Sequence, residues 1–213
     1  ISAKRPGRWV GEKVWPSPDI EEKPLNIRYS GLDFDINKHS ETEVSIQSPL
    51  SVGLFAGKWC SYAESTDLPS DQREEDGGSL IFDTSPLEED LEILGSPTVN
   101  LEISSNKPIA TVAVRISDVA PNGRATRVTY GLLNLTHSED HEEPEELEEN
   151  KKYNVTVDMN YVAQKFPAGN QIRLSISSSY WPLAWPPPEP ARLRIYLENS
   201  TLWLPIREPK ESD

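Results

Sequence analysis

The chain is poor in the residues on which most enzyme sites are built. Its 213 residues include one cysteine, one methionine and three histidines. A single thiol, Cys60, excludes an internal disulfide framework and fits a reducing, cytoplasmic setting in which it is buried or inert. His39, His137 and His141 lie beside no plausible nucleophile or orienting acid. There is no G-x-S-x-G elbow, and Cys60 has no evident base, so no complete nucleophile, base and acid set is expected. Positive charge is scarce as well. Lys and Arg number 21 against 35 Asp and Glu, a formal net charge of −14. Like charge repels nucleic-acid phosphate and anionic lipid, so neither is expected as a partner. No apolar run approaches the roughly 18 residues needed to span a bilayer, and no charged-then-apolar leader opens the chain. No metal or cofactor is expected.

What is abundant is alternation. Ala110, Val112, Val114 and Ile116 alternate with Thr111, Ala113, Arg115 and Ser117. Val155, Val157 and Met159 do the same, as do Ile172, Leu174 and Ile176. The pattern recurs at Val99, Leu101 and Ile103, at Leu193, Ile195 and Leu197, and at Leu202, Leu204 and Ile206. A period of two means half-buried strands. Pro121, Asn122 and Gly123 separate the strand at 110–117 from another at 126–135, where Asn or Gly supplies the positive φ of a tight hairpin. Helix is minor: one turn is expected around Glu88 to Leu91 and another in "NYVAQKF" (160–166). With roughly ten strands and Pro-rich connections, the fold class is all-β, a two-sheet antiparallel jelly-roll sandwich.

Three features break the strand pattern. "SEDHEEPEELEEN" (138–150) gathers carboxylates around His137 and His141. A metal site is one reading, but consecutive Glu residues beside Pro144 repel and stay hydrated, which favours a solvated loop. "SSSYWPLAWPPPEP" (177–190) carries Tyr180, Trp181 and Trp185 on a proline-stiffened loop, either a binding or interdomain face or a hydrophobic plug. The sequons at Asn134, Asn154 and Asn199 fall in or beside expected strands and are read as chance.

"DQREEDGGSLIFDT" (71–84) then asks whether its charges are catalytic or structural. That stretch belongs to a set, with "SPLSVGLFAGKWC" (48–60), "LPSDQREEDGGSLIFDTSPLEEDLEILGSP" (68–97), "DVAPNGRATRVTYGLLNLTH" (118–137) and "FPAGNQIRLSISSSYWP" (166–182), preceded by "RW" and "WPSP". In this order, from Arg8 to about Ile206, the set resembles the C-terminal domain of X-Pro dipeptidyl-peptidases and their relatives of the cocaine esterase and glutaryl-7-aminocephalosporanic acid acylase type.

The resemblance implies a galactose-binding-like jelly roll at 18–213. Residues 1–17 would link it to a preceding α/β-hydrolase domain that supplies the Ser, Asp and His. It makes Asp71, Gln72 and Arg73 a structural corner, with Arg73 tying the loop to the strand after Ser79. Asp118 and Arg124 take the same role at the hairpin, Asp118 accepting turn N–H bonds. Leu54 and Phe55 match a pair that reaches the acyl pocket in the esterase-like relatives. Asn170 stands where relatives commonly carry His. The partner expected is the hydrolase domain of the same polypeptide, with a homo-oligomer also possible. The interface candidates are Leu54, Phe55 and Trp59 together with Tyr180, Trp181 and Trp185. A carbohydrate-binding module using Trp181 and Trp185, or a purely structural domain, are the competing readings, because fold alone does not choose among functions.

Overall fold

A strand whose apolar residues alternate must bury one face, and two such sheets bury theirs against each other. The computed structural model describes residues 7–35, 42–60 and 67–210, and His39 lies outside them. Twelve strands occur among the described residues. They are β1 Ile20–Arg28, β2 Gly31–Asp33, β3 Glu43–Ile46, β4 Leu80–Asp83, β5 Leu91–Gly95, β6 Thr98–Ser105, β7 Thr111–Val119, β8 Ala125–Asn134, β9 Tyr153–Asp158, β10 Val162–Phe166, β11 Gln171–Ser177 and β12 Leu193–Arg207. The short helix α1, Arg73–Asp76, precedes β4.

One sheet holds four strands in the order β4-β11-β7-β8. The other holds eight, organised around β12, which pairs antiparallel with β1, β3, β5 and β6 along its length. Leu25, Val99, Leu101, Leu202 and Leu204 from the larger sheet meet Val112, Val114, Ile116, Ile172 and Leu174 from the smaller in one buried core. All are at most 1% exposed, and burial of this kind contributes on the order of 25 cal/mol per Å² of apolar area. The all-β, two-sheet antiparallel architecture expected from period two is the one present.

Four local expectations need correction. Residues 160–166 form no turn of helix: Val162–Phe166 is β10, paired antiparallel with β5. Gln164 occupies an inward place in its alternation, which hid the period. The segment from Glu88 is a bend that leads into β5 at Leu91. The stretches at 193–197 and 202–206 are one strand, β12, with a register shift between Tyr196 and Thr201. Cys60 is exposed.

The acidic stretch 138–150 is exposed except at half-buried Ser138 and at Leu147, which joins the main core. The loop is docked there, because Glu145 N–H donates to Thr136 O and Leu147 N–H to Pro108 O. The His137 and His141 rings lie 5.7 Å apart. Among the described residues no group of three or more His, Cys, Asp or Glu could hold a metal ion. No helix is long and apolar enough to cross a membrane among the described residues.

The segment before β1 is held to the larger sheet by charge. Arg8 makes two bonds to Glu92, at 2.8 and 2.9 Å. Glu12 accepts from Ser17 Oγ at 2.7 Å, from Arg207 Nε at 2.8 Å and from Lys210 Nζ at 2.5 Å. Lys210, then Ser17 and Arg207, hold the Glu12 carboxyl down to about 2 from its ordinary 4.5. A depressed folded-state pKa means the contribution is complete above the unfolded value and is lost as protons bind. Comparing wild type with Glu12→Gln, the Tm difference should therefore be constant above pH 4.5 and shrink as pH falls from 4.5 towards 2. A difference that is constant across that window would contradict the assignment.

Candidate functional site

Strands β7 and β11 are buried on both faces. Val112, Val114, Ile116, Ile172, Leu174 and Ile176 enter the core, whereas Ala113, Arg115, Ser117, Ser175 and Ser177 point the other way and are still at most 1% exposed. What covers them is built from residues 49–57, α1 and residues 180–184, the last from the proline-stiffened loop. Val52, Ala56, Ala113 and Tyr180 form a second, small apolar cluster, with Tyr130, Leu132, Leu183 and Ala184 packed against it. The two loops touch through backbone. A Cβ on Gly53 would sit 2.2 Å from Trp181 O, and φ there is +116°. Only glycine takes both that dihedral and that approach without displacement.

Underneath lies a buried ionic network. Asp76 Oδ1 accepts from Arg115 Nη2 at 3.2 Å and from Ser175 Oγ at 2.9 Å, while Oδ2 takes Arg173 Nη1 at 2.7 Å. Arg173 also makes two 2.7 Å bonds to Asp83. The Asp83 carboxylate, with Asp76 adding to it against the opposing effect of burial, pushes Arg173 above its ordinary value. Glu75 faces Arg115 Nη1 at 3.7 Å, and neither side chain has any exposed surface. The Glu75 oxygens accept from Gly53 N–H at 2.5 Å and Phe55 N–H at 2.6 Å.

The corner residues divide. Asp71 Oδ1 accepts from Arg73 N–H at 3.2 Å and Ala125 N–H at 3.3 Å, and Arg73 Nη2 reaches Oδ2 at 2.7 Å. Burial pushes the Asp71 carboxyl up, but these bonds outweigh it and the net direction is down. The Arg73 side chain is nevertheless exposed, and the corner is tied to the smaller sheet by Asp71 and Gln72 at Ala125 of β8 and by Asp76 at Arg115 and Arg173. Gln72 is fully buried and donates to Phe55 O and Ser70 O. Asp118 accepts from the Asn170 side-chain amide at 2.7 Å, a donor an imidazole would also supply. Arg124 is exposed, with its N–H on Asn122 Oδ1.

The interface candidates divide too. Leu54 is 60% exposed, Phe55 42%, Trp59 84% and Trp185 80%. Trp181 is half-buried and meets Trp185 edge to face, with centroids 4.9 Å apart. Tyr180 is buried: its hydroxyl accepts from Arg127 Nη1 at 2.9 Å, its ring lies 5.5 Å from the Arg115 guanidinium, and burial raises its pKa. It anchors the aromatic loop, and the tryptophans are what the loop presents. Residues 49–57 and 180–185 therefore share one side of the molecule. Glu75, Asp76, Arg115 and Arg173 were not singled out from sequence, although an Arg inside each of two apolar strands was the available signal.

The model of the X-Pro dipeptidyl-peptidase C-terminal non-catalytic domain matches residues 2–210. The chain belongs to that family. Cocaine esterase from Rhodococcus sp. (strain MB1 Bresler) is 25% identical over 186 residues, covering 82% of this chain and 32% of the esterase. An aminopeptidase from the marine sediment archaeon Thaumarchaeota archaeon superposes with a TM-score of 0.81 at 22% identity, over 94% of this chain and 39% of that one. A CocE/NonD family hydrolase from Staphylococcus aureus superposes at 0.72 and 15% identity, over 94% and 39%. At these identities the structural likeness shows the fold. The chain spans about a third of the length of the curated esterase it matches. The remaining two thirds of such relatives are consistent with a catalytic domain in the same polypeptide, and the X-Pro dipeptidyl-peptidase C-terminal domain is the non-catalytic part.

Proposed function

We propose that this domain, a galactose-binding-like jelly roll at 18–213, packs on an α/β-hydrolase domain of the same polypeptide through the side bearing Leu54, Phe55, Trp59, Trp181 and Trp185. Residues 1–17 form the link, and Leu54 and Phe55 form part of the wall of a pocket in which a serine hydrolase cleaves an ester or amide bond. The observation that carries this is the exposure of large apolar side chains on a backbone fixed from below by buried charge. An apolar surface of this kind marks an interaction site, and a neighbouring domain of the same chain is one partner that buries such a surface. The relatives support this reading: the esterase, the aminopeptidase and the CocE/NonD family hydrolase are each covered by this chain over 32–39% of their length. The sugar-platform reading gains no such support, since Trp181 and Trp185 stand at 82° to each other and offer no shared plane.

In the full-length protein, Phe55→Ala should lower kcat/KM for the preferred acyl group by about 10-fold or more relative to a smaller acyl group, the range for losing apolar contact in a pocket. Tm should change little, because Phe55 is partly exposed in the domain. Equal kcat/KM loss for every acyl group, or none, would contradict the pocket-wall role.

A further inference from the structure

Surface loops rarely have both backbone groups of an exposed apolar residue fixed by buried side chains, yet Phe55 does. Its N–H donates to Glu75 Oε1, and its C=O accepts from Gln72 Nε2 and from Ser70 N–H. Gly53 N–H goes to the other Glu75 oxygen. A carboxylate offers two acceptor oxygens, and here they meet two N–H groups two residues apart with Leu54 between them. Leu54 and Phe55 project outward from that bracket. We infer that Glu75 is a positioning residue, a buried carboxylate that sets the angle at which Leu54 and Phe55 enter the hydrolase pocket and so determines acyl specificity without touching substrate. The inference rests on the pocket-wall reading above.

Two substitutions separate this role from mere charge balance. Glu75→Gln keeps the shape but has one acceptor oxygen, and its NH2 faces an N–H. Glu75→Asp keeps the charge opposite Arg115, and so the fold, but is one methylene too short to reach both amides. In the full-length protein, kcat/KM would be measured for p-nitrophenyl esters of a small and a bulky acyl group, together with Tm and amide hydrogen exchange at Gly53 and Phe55. Both variants should speed exchange at those two amides and shift the bulky-to-small ratio in the direction of Phe55→Ala, by about tenfold, the scale of a misplaced apolar contact. If Phe55→Ala shifts the ratio and neither Glu75 variant does, the positioning role fails and the pocket wall stands. Restoration of the ratio by Glu75→Asp would reduce Glu75 to charge balance and overturn the inference. A ratio unmoved by Phe55→Ala would remove the pocket wall and the positioning role together.

Discussion

Asp76→Ala should be the most damaging single substitution on the covered face, lowering stability by about 3–5 kcal/mol, the cost of breaking a buried ion pair by removing one partner. For a chain of this size, that is a fall in Tm on the order of 6–20 °C. The carboxylate serves three groups at once: Arg115 and Ser175 on one oxygen and Arg173 on the other. Without it, Arg173 keeps Asp83, but fully buried Arg115 loses its 3.2 Å carboxylate partner and keeps the neutral Ser79 Oγ at 3.0 Å and Glu75 at 3.7 Å. The guanidinium would stay charged, since Arg does not release its proton in proteins, so the desolvation penalty falls on the folded state. Arg73→Ala, on the exposed side of the same corner, should leave Tm nearly unchanged, because exposed ion pairs contribute little. Thermal and denaturant melts of the two variants side by side would check this. Equal Tm losses would mean that the corner, and not the buried network, carries the stability.

Gly53→Ala should be the most damaging change in the loops. Two costs add: a non-glycine residue at φ +116° stores roughly 1–3 kcal/mol, and a Cβ 2.2 Å from Trp181 O forces the 52–56 and 180–184 segments apart. Gly123 provides the comparison. Its φ is +81°, but nothing lies within 4 Å of where its Cβ would be, so Gly123→Ala carries the dihedral cost alone, about 1–2 kcal/mol. Denaturant melts should show the larger loss for Gly53→Ala, with faster exchange of the amides of residues 52–56. Equal losses would show that the loops do not bear on each other as closely as the backbone distances require.

The legible part of the fold was the part with unbroken period two. β6, β7, β9 and β11 announce themselves because every second residue is apolar, and the hairpin at Pro121 to Gly123 is written in its turn residues. Strands β1, β5 and β10 were not legible because none shows a clean alternation. In β1, Ile20 is followed by Glu21, Glu22 and Lys23; in β5, Ile93 and Leu94 are adjacent; and β10 holds Gln164 in an inward place, so no period of two emerges. At the site, the same rule misled. Arg115 and Ser117 alternate with Val and Ile and read as solvent-facing, yet they face a cover made of distant loops. No spacing rule links Asp76 to Arg115, 39 residues on, or to Arg173, 97 residues on. Leu54, Phe55 and Trp185 came from resemblance and aromatic content; Glu75, which holds the first two, lies in the resembling stretch 68–97, but no spacing marks it as the acceptor for Gly53 and Phe55.

The central claim, that Leu54, Phe55 and Trp185 face a hydrolase domain, is tested most directly by hydroxyl-radical footprinting of the full-length protein against this domain alone. In the domain, these side chains should oxidise readily, as should Tyr29 at the β1–β2 turn, which is 80% exposed and serves as the internal reference. In the full-length protein, Leu54, Phe55 and Trp185 should become several-fold protected at monomeric concentration, while Tyr29 keeps its reactivity. Equal oxidation of all four in both forms, or protection that appears only when copies of the chain associate, would contradict the account.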